Sequence, residues 1–419
     1  MGDTKKTSGL VLGRFMPVHK GHVYLIEFAR HFVDELTLAV VNFQAGPFPG
    51  ELRRKWLREL FPDIRVLPVR SLTTSGWQPD SQLYDLWARS LLKRLPSPPD
   101  YLFASEAYGW KLAETLGARF VPVDPQRSIV PASSAAIRSD PMQNWEFLPN
   151  CVRPHFLRRI CIFGPESTGK STLARNLADH FRTVAVPEYA RTHIGARKDH
   201  LDPDDIPVFA FGQIASEDAL ARLANRVMFC DTDPITTSIW SDWLYGSCPE
   251  SVKRLAEERS YDLYLLTDVD VPWIEDPQRY LPTERKSFFD RCQRELESRK
   301  RPYVVISGDW DKRLADAVAA TEQIIKLPAG PLLSAQQRLA GQDPALAGRQ
   351  FQPALAALNF SSPYSSHCEQ PSALVDSNHE HAQQHEPAEQ RIVGSGHSTG
   401  GHSRPNNSTV VPLESGGSG

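Results

Sequence analysis

The chain has 419 residues, too many for one ordinary domain, so two domains and additional sequence are expected. Its 50 acidic and 47 basic residues nearly cancel, which argues against a domain built around nucleic-acid phosphates. No uncharged apolar run approaches the roughly 18 residues of a membrane span. The first eight residues are polar and lack a secretory h-region, so a cytoplasmic protein with no membrane partner is expected. Cys151, Cys161, Cys230, Cys248, Cys292 and Cys368 lie far apart with no C-x₂-C pair, as reduced structural thiols do.

From the N-terminus, short apolar runs alternate with helical patterns. Strands are expected at 10–12, 38–41, 64–69, 101–104 and 120–123, with helices at 22–32, 51–60, 82–95 and 108–116 between them. That alternation belongs to a parallel sheet with crossover helices. A Pro- and Arg-containing connector at 148–159 marks a boundary. The pattern then restarts with strands near 160–163, 184–186, 227–231, 261–267 and 304–307, and a last helix at 312–325. The class is α/β, with two parallel-sheet domains at 1–150 and 151–328, each expected to hold its own core. From 329 to 419 Ser, Gly, Pro, Gln and His dominate. Such a segment buries too little apolar surface to offset its ordering entropy, and a disordered tail is expected.

The turn after the first expected strand reads Gly13-Arg14-Phe15-Met16-Pro17-Val18-His19-Lys20-Gly21-His22. It resembles the G-x-F-x-P-x-H-x-G-H signature of the nucleotidylyltransferase superfamily. In that chemistry a substrate phosphate attacks the α-phosphorus of ATP, and the protein positions groups and neutralises charge. His19 and His22, three apart at a helix start, share a face and can both point at a triphosphate, helped by the helix dipole. Gly21 lets the backbone approach closely. Gly13, Arg14 and Phe15 complete the ATP-binding turn. The superfamily's second signature, Ile-Ser-x-Thr-x-x-Arg, is matched by Ala132-Ser133-Ser134-Ala135-Ala136-Ile137-Arg138. Ser133 and Arg138 are expected at the phosphates. Ala135 stands where the superfamily usually has a phosphate-contacting Thr.

The second half opens with an apolar strand, then Gly164-Pro165-Glu166-Ser167-Thr168-Gly169-Lys170-Ser171, then a helix from Thr172. G-x-x-x-x-G-K-[ST] in that context is a P-loop. Backbone N–H groups along Gly164, Glu166, Ser167, Thr168, Gly169 and Thr172 cradle a polyphosphate at a helix N-terminus. Lys170 reaches the β/γ-phosphates, while Ser171 and Asp231, which ends a later strand, are the expected Mg²⁺ ligands. Glu188 follows the next strand and is the candidate general base for a substrate hydroxyl. Residues 273–279 and then Arg285-Lys286 resemble the basic lid of small-molecule kinases, which brings Arg279 to the moving phosphoryl group. By themselves these residues give a nucleoside kinase joined to an adenylyltransferase.

Both halves in this order resemble the bifunctional NadR family, a nicotinamide-nucleotide adenylyltransferase followed by a ribosylnicotinamide kinase. The likeness spans roughly residues 9 to 326 and includes 76–78, 105–106, 123–127, 145–149, 153–156, 188–191 and 231–237. It implies a Rossmann-like domain followed by a P-loop kinase domain. Nicotinamide riboside would become NMN at the P-loop, and NMN would become NAD at the His-x-Gly-His site, with ATP as substrate at both and Mg²⁺. It also implies substrate contacts from Trp77, Asp124, Arg127, Tyr189, Arg191 and Asp233, and Trp77 can stack on a cationic pyridinium ring. Partners are then small molecules, with a homo-oligomer left open. Some members carry an N-terminal helix-turn-helix, for which a first strand near Gly9 leaves no room, so no nucleic-acid partner is expected. Two fusions with the same logic stay open, one joining phosphopantetheine adenylyltransferase to dephospho-coenzyme A kinase and, more distantly, one joining a sulfurylase to a kinase. The first usually has Thr at the position of His19. A rival of another class is an NTP-sensing regulator that turns over nothing.

Overall fold

Among the residues that the computed structural model describes (6–42, 46–70, 81–197 and 201–327), ten strands form two five-stranded parallel sheets. The first sheet is built from β1 (Ser8–Gly13), β2 (Glu35–Asn42), β3 (Arg65–Arg70), β4 (Tyr101–Ala104) and β5 (Arg119–Pro122). Its crossovers are α1 (Lys20–Phe32), α2 (Gly50–Leu60), α3 (Ser81–Leu92) and α4 (Tyr108–Leu116), with a short α5 (Ser134–Ser139) after the last strand. The order β3-β2-β1-β4-β5 reverses direction at β1, which opens a crevice at the carboxyl ends of β1 and β4.

The second sheet comprises β6 (Arg158–Phe163), β7 (Val184–Val186), β8 (Val227–Asp231), β9 (Leu263–Thr267) and β10 (Tyr303–Ile306), in the order β10-β9-β6-β8-β7. Around it lie α6 (Lys170–Phe181), α7 (Tyr189–Ala196), α8 (Asp205–Leu220), α9 (Pro234–Tyr245), α10 (Glu250–Glu258), α11 (Arg285–Ser298) and α12 (Trp310–Lys326). Every expected strand is present, with ends moved by a few residues. Both sheets turn at the strand that feeds a glycine-bearing loop.

Side-chain alternation along the central strands decides the packing. Leu10 and Leu12 of β1 meet Trp87, Leu91, Leu112 and Leu116 of α3 and α4, while Val11 faces the other way. Ile160 and Ile162 of β6 meet Leu173 and Leu177 of α6 with Ala317 and Ile324 of α12, while Cys161 and Phe163 face the other way. The two remaining faces belong to one continuous cluster. Val11, Leu38, Trp56 and Phe103 reach Cys161, Phe163, Cys230 and Tyr264 through Trp145 and, in the connector, Leu148, Val152 and Phe156.

The expectation of a separate core for each half is therefore corrected. The connector is a buried filler whose apolar residues need a partner on both sides, and it recruits both sheets. Phe48 meets Phe156 edge-on at 5.8 Å, and Trp56 meets His155 at 5.0 Å. Glu59 at the end of α2 pairs with Arg222, and Arg226 donates to the Met142 carbonyl at 2.8 Å. The five described cysteines are buried and free of disulfides, and Cys368 lies outside the described residues. No described helix is long and apolar enough to cross a membrane.

Leu148 is fully buried in the shared cluster, so Leu148→Ala should cost about 2–5 kcal/mol. Calorimetry should show one unfolding transition moved to lower temperature. A second transition left at the wild-type temperature would contradict a shared core.

Two candidate nucleotide sites

The first pocket lies where β1 and β4 end, lined by the loop from Gly13 to His22, by Ser105 and Glu106, and by Arg127 and α5. His19 is the N-cap of α1 in an extended conformation, and its backbone N–H donates to His22 Nδ1 at 3.3 Å. That bond makes Nδ1 the acceptor and puts the His22 proton on Nε2. The two imidazoles stack with centroids 3.7 Å apart. Burial and then the Arg127 charge lower His19 to about 3, and burial likewise lowers His22, with His19, Arg127 and Arg14 adding to it. Both rings are thus neutral hydrogen-bonding groups at neutral pH. A Cβ on Gly21, which lines the pocket, would sit 3.0 Å from His19 Nδ1, so this glycine makes room for the imidazole.

Positive charge comes from Arg14, Arg127 and Arg138, all of which line the pocket. Arg127 lies 3.4 Å from Glu106, and Arg138 gives one amino group to the Met16 carbonyl. Ser133 caps α5 by accepting the Ala136 N–H at 3.1 Å, while Ser134 donates to the Pro17 carbonyl at 3.1 Å and ties α5 to the motif loop. Ala135 lines the pocket with a methyl group alone. Asp124 also borders it, but both carboxylate oxygens are engaged. They accept from Ser128 N–H and hydroxyl at 2.8 and 3.1 Å and from Ile129 and Val130 N–H at 3.1 and 3.3 Å. Asp124 shapes this loop, a task its expected substrate contact did not foresee.

The second pocket surrounds the loop between β6 and α6. Gly164 and Gly169 adopt φ of +132° and +82°, and a Cβ would strike Thr267 at 2.8 Å or Trp310 at 2.4 Å, so only glycine fits. Lys170 donates to the Pro165 carbonyl at 2.7 Å across the loop. Thr168 is turned inward, donating to the Pro165 carbonyl at 2.8 Å and lying 2.7 Å from Thr267 Oγ1, so it can offer a ligand only its backbone. Thr172 sits between this pocket and a smaller cleft walled by Trp310, Asn176 and Arg313.

The basic segment expected to act as a lid is docked on this loop. Glu166 accepts from Tyr280 and Leu281 N–H at 2.8 and 3.2 Å, and Ser167 Oγ accepts from Ile274 N–H at 2.8 Å and Arg279 at 3.3 Å. Asp276 pairs with Arg191 at 2.9 Å, and Arg191 lies 3.8 Å from Glu188. Burial pushes the Asp231 carboxyl up, against the pull of Lys170 and the Ser171 hydroxyl beside it. Burial and the Asp231 charge push Glu188 up as well. Asp231 Oδ1 is buried and has no hydrogen-bond partner. An oxygen so placed beside Ser171 fits the divalent cation that a P-loop implies, and these two residues would hold it. Among the described residues no group of three or more His, Cys, Asp or Glu is set to hold a metal unaided.

Two expected substrate contacts lie elsewhere. Asp233 is 1 % exposed, capping α9 through the Thr236 N–H at 2.9 Å and accepting the Tyr264 hydroxyl at 3.0 Å. Thr236 and Thr237, which it orders, line the pocket in its place. The Tyr189 ring packs on Gly212 of α8, where a Cβ would come within 2.2 Å, and Arg191 and Ile194 face the pocket instead. Trp77 lies outside the described residues. The apolar wall of Ile206, Phe209, Trp240 and Leu244, with Gln213, was not foreseen, because on α8 and α9 such residues read as core.

A family model described as an AAA domain matches residues 159–313. The trifunctional NAD biosynthesis/regulator protein NadR of Escherichia coli (strain K12) is 32% identical over 77% of this chain and 84% of its own length. The chain belongs to the NadR family. The namesake protein of Salmonella typhimurium (strain LT2) is 30% identical over the same shares, 77% and 84%. A nicotinamide-nucleotide adenylyltransferase of Thermococcus kodakarensis is 28% identical over 36% of this chain and 82% of its own. A crystal structure of NadR in complex with NR superposes with a TM-score of 0.64 over 79% of this chain and 99% of that one, at 24% identity, and shows the same fold. NadR membership makes this chain an enzyme of NAD biosynthesis, as the resemblance implied.

Proposed function

We propose that this NadR chain phosphorylates nicotinamide riboside to NMN at the P-loop pocket and adenylylates NMN to NAD at the His-x-Gly-His pocket, releasing pyrophosphate. The observation that carries the reading is the contrast between the pockets. One offers neutral imidazoles and three arginines, and the other offers Lys170 with the buried Asp231 and the half-buried Glu188. NadR structures described with NR and with NAD and AMP-PNP supply the ligands that this reading assigns.

In the first pocket the NMN phosphate is the nucleophile, so no side chain needs to form a bond. Arg14, Arg138, His19 and His22 face the triphosphate and stabilise charge as pyrophosphate departs, while Arg127 and Ser133 lie along the same wall. Ala135 contributes no hydroxyl, and the Ser133 cap and α5 N-terminus take over that edge.

In the second pocket the P-loop amides and Lys170 hold the β/γ-phosphates, and the docked segment brings Arg279 to the transferred group. Mg²⁺ held by Ser171 and Asp231 would neutralise phosphate charge there. Glu188 takes the proton from the riboside hydroxyl, aided by an elevated affinity for it, while Arg191 beside it favours the carboxylate form that accepts the proton. Phe209 and Trp240 offer flat apolar faces to the base, and a cationic pyridinium gains most from them. The cleft at Trp310 offers the adenine ring a stacking face.

Lys170→Ala should lower riboside phosphorylation by orders of magnitude and spare pyrophosphate release from NMN and ATP. His19→Ala should do the reverse. A folded single variant that loses both reactions would overturn the two-site reading. Because Glu188 is raised, it becomes protonated as pH falls through a value above the ordinary 4.5, and kinase rate should fall there. Glu188→Gln should remove that acid limb together with most of the activity, and an unchanged profile would dismiss Glu188 as the base.

A further inference from the structure

Arg53 on α2 is 2 % exposed, yet it pairs with no carboxylate among the described residues. Its guanidinium donates to the Phe48 carbonyl at 3.1 Å, the Val41 carbonyl at 2.9 Å, the Asn42 Oδ1 at 3.3 Å and the Arg14 carbonyl. A buried cation is costly unless its donors are used, and here four are used, on the loop carbonyls of Arg14 and Phe48 and on the Val41 carbonyl and Asn42 side chain at the end of β2. Although burial and neighbouring Arg54 lower it to about 10, the group stays charged at neutral pH. Asn42 reaches it because residue 50 is glycine, where a Cβ would lie 2.1 Å from Asn42 Oδ1.

Holding the Arg14 carbonyl constrains its neighbour Phe15. That residue has a left-handed φ of +52°, which a non-glycine residue keeps only when its surroundings fix it. The Phe15 ring is buried and meets His22 edge-on at 5.0 Å. On one side of Phe15 the chain is held by Arg53 at Arg14, and on the other by Arg138 at Met16. Only Arg138 lines the pocket.

We infer that Arg53 is a positioning residue of the adenylyl-transfer site, a buried splint that fixes Arg14 and Phe15 and, through them, the guanidinium of Arg14 and the ring of His22. The inference rests on the adenylyltransferase reading of this pocket. Displacing such groups by a fraction of an ångström to an ångström costs roughly 10- to 100-fold in rate.

The test is Arg53→Met, which keeps bulk and removes the donors, with Arg53→Lys as the conservative partner, both in the full chain. Pyrophosphate release from NMN and ATP gives kcat and KM, and ADP release from nicotinamide riboside gives an internal control for folding. Expected for Arg53→Met is a kcat for adenylyl transfer about 10- to 100-fold lower, KM values nearly unchanged and a kinase rate equal to wild type. Arg53→Lys should recover part of that kcat. An unchanged adenylyl-transfer kcat, or parallel loss of both activities and of thermal stability, would overturn the inference. If wild type released no pyrophosphate, the adenylyltransferase reading would fall and this inference with it. Wild-type release with an indifferent variant removes the splint alone.

Discussion

The polyphosphate of the proposed reactions carries dense negative charge into a pocket that must also exclude water, and both glycine-bearing loops are placed to meet it. Both halves use the same device, in which the strand at the reversal of a parallel sheet runs into a glycine-bearing loop and then a helix N-terminus. Such a terminus offers unpaired N–H groups and the positive end of a dipole. The halves differ in what they add. The loop after β1 carries neutral imidazoles among arginines, suited to stabilising charge without exchanging protons. The loop after β6 carries a lysine opposite two acids held protonation-prone by burial, suited to a cation and to proton removal.

Precision at both loops needs rigid backing, and the shared cluster provides it. Each sheet has a private apolar layer on one face, and the other faces meet through the connector. Val18 and Phe15 of the first loop, and Phe163 just ahead of the second, belong to that same cluster. Substitutions at the joint are therefore expected to act on both sites, whereas those at Lys170 and His19 are expected to act locally. The side chains of Asp233, Thr168 and Arg313 show how many polar groups hold the backbone around the site. Arg313 alone reaches the Gly308, Thr168 and Asp268 carbonyls at 2.9, 3.1 and 3.1 Å.

Much of this was legible because apolar runs and turn glycines are local signals. The strands at Tyr101–Ala104, Val184–Val186 and Val227–Asp231 stand where their β-branched and apolar runs placed them. The glycine loop after β6 was readable from its spacing between a strand and a helix, and the one after β1 from its resemblance to a known signature. The direction of individual side chains was not, since Tyr189 and Arg191 are two apart on one helix and only the packing of α8 decides which meets the pocket. Asp233 comes so soon after Asp231 that the two look alike in sequence, yet one ends a strand and the other caps a helix. Phe209 and Trp240 carried no signal, because pocket walls and cores use the same residues. The shared core was missed because a buried connector and an exposed linker can have similar composition.

Two separate polyphosphate cradles in one chain is the claim on which the rest depends. Isothermal titration of the full chain with a non-hydrolysable ATP analogue and Mg²⁺ measures it directly through the number of molecules bound. Two bound per chain in wild type, falling to one in Lys170→Ala, is the predicted result. One bound per chain in wild type, with none in Lys170→Ala, would contradict it.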